Sequence, residues 1–104
     1  MEEKGRLHGS SAVITGAGRG IGKAISRAFV SEGAKVVLAA RTVPEIEKLA
    51  GELTATGGDV IAVECDVTGP AQGELLVQKA THAFGSVDVL VNNAGITKIA
   101  KFLD

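Results

Sequence analysis

The chain has 104 residues, 45% apolar and 22% charged, a balance that excludes a disordered tail or a collagen-like repeat and fits one packed domain at most. Its net charge of -1 provides no basic field for nucleic acid, and no apolar run approaches the roughly 20 residues that cross a bilayer. The polar opening from Met1 to Gly9 has no signal-peptide core and Cys65 is the single cysteine, so the sequence predicts a soluble, untargeted, cytoplasmic chain without an internal disulfide.

Short β-branched runs alternate with helical stripes from Ser11 onward. The first run, Ala12 to Thr15, leads into a glycine loop and then a stripe of Ile21, Ala24, Ile25, Ala28 and Phe29 at helical spacing. Gly33 follows that stripe, where a left-handed residue ends a helix, and a second run spans Lys35 to Ala40. The second helix carries Ile46, Leu49, Ala50 and Leu53, with Thr42 and Glu45 at capping-box spacing ahead of it and Gly57 and Gly58 after it. A third run, Val60 to Cys65, precedes a stripe of Leu76, Ala80, Ala83 and Phe84; Gly85 closes it, and the fourth run is Val87 to Val91.

These runs are too continuously apolar to have a wet face and read as buried parallel strands. Three consecutive βαβ units with right-handed crossovers make an α/β fold, a parallel sheet with helices on both faces. On this reading Ile96 to Asp104 begin an element that is not finished, and the fourth strand is a bare apolar edge. Natural sheets rarely leave such an edge open. The expectation is therefore a chain that is part of something longer, or a homo-oligomer joined through that edge.

The loop Thr15-Gly16-Ala17-Gly18-Arg19-Gly20-Ile21-Gly22 joins the first strand to the first helix. Glycines there permit positive φ and close backbone approach, and the helix N-terminus behind them presents unpaired N–H groups to an anion such as a pyrophosphate. The ordinary dinucleotide fingerprint would need glycine at position 21, where the chain has Ile21; the spacing that matters is Gly16, Gly20 and Gly22. A Walker A loop is excluded, because Lys23 comes too late. His8 and His82 have no neighbours at metal-ligand spacing, and no metal site is expected.

Thr15-Gly16 to Gly20-Ile21-Gly22, together with Asn92-Asn93-Ala94-Gly95 after the fourth strand, resembles the short-chain dehydrogenase/reductase family. The likeness runs from Leu7 to Ile96. It implies a Rossmann-type sheet of strand order 3-2-1-4, truncated to about four strands, as the amino-terminal half of an oxidoreductase acting on a carbonyl/alcohol pair. It also implies cofactor contacts at Gly16, Gly18, Arg19, Gly20 and Ile21, at Asp66 and Val67 against adenine, and at Asn93, Ala94 and Gly95 against the adenosine ribose. In the family Asn92 mainly ties neighbouring strands together.

An NAD site normally places an acid at the end of the second strand to bind the ribose 2′-hydroxyl. Here no acid lies between Lys35 and Pro44, so the expected site contains nothing that repels a 2′-phosphate, and Arg41 is suited to pair with one. Arg19 approaches from the loop, and basic residues at these two positions accompany NADP(H) preference in the family. Either arginine alone is equally compatible with a solvated loop; the two flanking one site favour NADP(H) over NAD(H). Asp66 has a second reading as a turn residue before Thr68, but the carboxyl edge of the sheet favours binding.

The family's acid/base is a tyrosine with a lysine four residues on, aided by a serine and an asparagine, all beyond the matched motifs. This sequence has no tyrosine, so no catalytic residue is assigned and the chain alone is expected to lack dehydrogenase activity. The competing reading is a stand-alone or self-assembling half-Rossmann module that binds nucleotide without enzymatic activity. An S-adenosylmethionine methyltransferase is disfavoured by the missing strand-2 acid and by Asn92 to Gly95.

Overall fold

The apolar runs become strands flanked by the helices that cover them; the first strand and the middle of the second are buried on both sides, whereas the run expected to be a buried third strand is only half-buried and ends on the exposed Glu64. A computed structural model of the chain describes residues 7–65, 70–92 and 98–101. The elements in order are β1 (Ser11–Thr15), α1 (Gly20–Ser31), β2 (Lys35–Ala40), α2 (Val43–Ala55), β3 (Val60–Glu64), α3 (Pro70–Phe84), β4 (Val89–Asn92) and β5 (Lys98–Lys101). The first four strands are parallel and follow the expected order, β3-β2-β1-β4.

Strand alternation divides the core into two layers. Ile14, Val36 and Leu38 point to one face and pack with Ile46, Leu49 and Leu53 of α2 and with Ile25 and Phe29 of α1. Val13, Val37 and Ala39 point to the other and meet Leu76 and Ala80 of α3. The stripe expected for α2 is thus the buried one. α1 behaves differently: Gly22 and Ser26 are its fully buried positions, while Ile21 is 63% exposed and Ala24 and Ala28 are exposed. Small residues let this helix lie close to the sheet, and the Ser26 hydroxyl is satisfied by donating 2.7 Å to the Gly22 carbonyl.

The helix ends follow local backbone chemistry. Gly33 (φ +92°) and Gly57 (φ +98°) occupy the left-handed position past α1 and α2. Each helix closes with paired turn bonds, Gly33 N–H to Val30 and Ala34 N–H to Phe29, then Gly57 N–H to Thr54 and Gly58 N–H to Leu53.

Two expectations change. β4 begins at Val89 rather than Val87, because the Asp88 carboxylate, not a strand carbonyl, accepts the Ser11 N–H at 2.9 Å and ends the ladder there. Nor is β4 the bare edge: β5 pairs antiparallel along it, Asn92 opposite Lys98 through Val89 opposite Lys101, giving a sheet of five strands rather than about four. Association through an uncovered β4 edge therefore loses its premise, since the ladder groups on that side are already paired.

Candidate functional site

Parallel strands put the ends of β1, β2, β3 and β4 at one edge of the sheet, and the glycine loop leaves from the middle of it. Gly16 (φ +62°) and Gly20 (φ +50°) adopt the left-handed conformation that bends the chain from strand into helix. Between them Ala17 is fully buried and its N–H reaches the Ala39 carbonyl at 3.3 Å, fastening the loop to β2. On the opposite side the Thr15 hydroxyl donates to the Val91 carbonyl at 3.4 Å.

Arg19, in extended conformation, is the N-cap of α1 and supplies no side-chain cap, and the first turn of the helix contains no acid. The positive end of this helix is left without a carboxylate or hydroxyl of its own, the arrangement that suits a bound anion.

Beside the loop is a cleft of about 330 Å³ lined by Gly16, Gly18, Arg19, Ala40, Arg41, Thr42 and Glu45. Four predicted residues, Gly16, Gly18, Arg19 and Arg41, thus come together across the ends of β1 and β2. Gly20 and Ile21 open α1 next to the cleft without lining it. Asp66, Val67, Asn93, Ala94 and Gly95 lie outside the described residues. β3 and β4, which precede them in the chain, end at Glu64 and Asn92.

Glu45 is the residue that sequence reasoning misplaced. Thr42 is the N-cap of α2 but makes no side-chain capping bond, so the anticipated capping box is not formed. The Glu45 carboxylate instead accepts from Arg19 Nε at 3.1 and 3.0 Å. The stretch between Lys35 and Pro44 is indeed free of acid, yet the cleft is not, because the first turn of α2 brings a carboxylate into it. No local signal reveals this, since the partners are 26 residues apart in the chain.

Gly18 packs against the same residue: a Cβ there would sit 3.0 Å from the Glu45 Cβ, a tight contact that would push the loop and α2 apart by a few tenths of an ångström. Arg41 has no ion-pair partner among the described residues. Among those residues no His, Cys, Asp and Glu cluster is placed to hold a metal, and no helix is long and apolar enough to cross a membrane.

The sequence matches the family model described as short chain dehydrogenase over residues 10–104. It is 45% identical over 100 residues to the oxidoreductase UcpA of Escherichia coli strain K12, covering 96% of this chain and 38% of that protein. An L-rhamnose 1-dehydrogenase (NAD(P)(+)) of Azotobacter vinelandii is 47% identical over 98 residues, 90% of this chain and 38% of its own length. Among solved structures, a short chain dehydrogenase/reductase from Burkholderia phymatum in complex with NAD superposes with a TM-score of 0.82 at 42% identity, covering 86% of this chain and 32% of that one. A short chain dehydrogenase from Mycobacterium smegmatis also gives 0.82 at 36% identity, covering 92% and 42%. The chain thus spans well under half the length of the relatives it matches.

Proposed function

The chain belongs to the short chain dehydrogenase family, and from that premise we propose that the cleft at the carboxyl edge binds a nicotinamide dinucleotide, NADP(H) in preference to NAD(H). The residues serve as the cofactor-binding part of a cytoplasmic oxidoreductase acting on a carbonyl/alcohol pair. The observation that carries the reading is one cleft joining an α1 N-terminus without a side-chain cap to two arginines, Arg19 and Arg41.

The residues present fit such a group. Gly16 and Gly20 bend the loop so that its backbone can approach a pyrophosphate, and the helix end adds a favourable partial charge. Arg41 and Arg19 flank the place expected for a ribose 2′-phosphate, where a guanidinium can make two parallel hydrogen bonds. Ile21 stands exposed at the start of α1, available to the cofactor rather than to the core. Asp66 and Val67 take the adenine, and Asn93, Ala94 and Gly95 the adenosine ribose, by family resemblance.

A nicotinamide dinucleotide, when bound, supplies the hydride donor or acceptor. The protein's share of the chemistry here is to hold and orient it. Acid/base assistance at the reacting oxygen needs a proton-transferring group within hydrogen-bond reach, and no tyrosine is present to provide the family's usual one. We therefore propose that these 104 residues by themselves transfer no hydride.

Calorimetric titration of the purified chain with NADPH and with NADH tests the reading. Saturable binding favouring NADPH, with the preference lost in Arg41→Ala, is expected. Failure of both dinucleotides to bind would refute it.

A further inference from the structure

The cleft holds three charged side chains rather than the two arginines that suggest an NADP(H) site. Two guanidinium groups and one carboxylate leave a single net positive charge there. Arg19 spends its Nε on both oxygens of Glu45, and its terminal nitrogens have no partner among the described residues. The pair is open to water, with the Arg19 side chain 77% exposed and that of Glu45 35%. Exposed pairs of this kind are weak and readily exchanged for a better partner.

Glu45 is nevertheless held near the loop. It sits in the first turn of α2, anchored by its neighbour Ile46, which is fully buried, and its stem packs against Gly18. A cofactor 2′-phosphate carries close to two negative charges, whereas the 2′-hydroxyl of the unphosphorylated cofactor carries none. To seat the phosphate, Glu45 must either release Arg19 or remain beside the phosphate as a like charge. Seating the hydroxyl requires neither, and leaves the Arg19–Glu45 pair intact.

We infer that Glu45 is a specificity-determining residue that offsets Arg19 and narrows the preference for the phosphorylated dinucleotide, so that the same cleft admits NADPH and NADH. The inference rests on the dinucleotide reading of the cleft proposed above. Arg41, without such a partner, remains the group that favours the phosphate.

The test is titration of the wild-type chain, Glu45→Gln and Glu45→Asp with NADPH and with NADH at two salt concentrations. Glu45→Gln keeps the size of the side chain and removes its charge; the ratio of NADPH to NADH affinity is expected to rise by roughly 1.5-fold to fivefold, the range an exposed charge commands, and less at high salt. Glu45→Asp keeps the charge and should leave the ratio near that of wild type. A ratio unmoved or lowered by Glu45→Gln, or moved as far by Asp as by Gln, would overturn the inference while leaving the cleft as a dinucleotide site. If wild type binds neither dinucleotide, the reading of the cleft fails and the role of Glu45 fails with it.

Discussion

The two ends of the sheet put their polar groups to different uses. At the amino end, polar groups are paired with one another: Ser11 N–H to the Asp88 carboxylate at 2.9 Å, Asp88 N–H to the Ser11 carbonyl at 2.9 Å, and the Ser11 hydroxyl to the Ser86 carbonyl. Lys35 N–H reaches Ser10 and Leu7 N–H reaches Glu32, and the helices that arrive there end in glycine-closed turns. At the carboxyl end, neither α1 nor α2 has a side-chain cap, and the charged groups stand in a cleft. One end is committed to stability, while the other leaves hydrogen-bonding and charge capacity for a ligand.

That contrast predicts that substitutions at the amino end change stability and those at the carboxyl end change binding. The largest effect is expected at Gly58, where a Cβ would meet Val30 Cγ1 at 2.6 Å and the Leu53 carbonyl oxygen at 3.1 Å. Gly58→Val should destabilise the chain by about 2–3 kcal/mol through overpacking, read as a shift in the urea midpoint. A midpoint unchanged within error would mean that the turn yields freely.

Asp88→Ala comes next. It strands the partly buried Ser11 N–H and should cost about 1–2 kcal/mol of stability while sparing dinucleotide affinity. Equal losses in both would break the division between the two ends.

Gly20→Ala has the smallest expected effect on stability. Open space surrounds the position, so only the φ of +50° opposes a side chain, at about 1 kcal/mol. Because the loop and the α1 N-terminus meet there, its affinity for NADPH should fall by more than its stability does. A variant that keeps full affinity would locate the anion elsewhere.

Much of the fold was legible because it depends on short stretches of chain. Val13 and Ile14 alternate across β1, Ile46, Leu49 and Leu53 recur on one side of α2, and Gly33 and Gly57 mark helix ends, each for reasons confined to a few neighbouring residues. The α1 stripe was less informative. Its apolar positions outnumber those the sheet can cover, and the contact was decided by how closely Gly22 and Ser26 let the helix approach.

Taken alone, then, the sequence determined the alternation of strands and helices, the glycine loop at the start of α1, and the presence of Arg19 within that loop and of Arg41 just past the second strand, because backbone sterics and hydrophobic period act over a few residues. Only the tertiary structure decided that β5 folds back along β4 and that Glu45 turns to Arg19 rather than to Thr42. Both depend on residues far apart in the chain being carried to the same place, and a side chain with two available partners is assigned by that geometry rather than by its spacing.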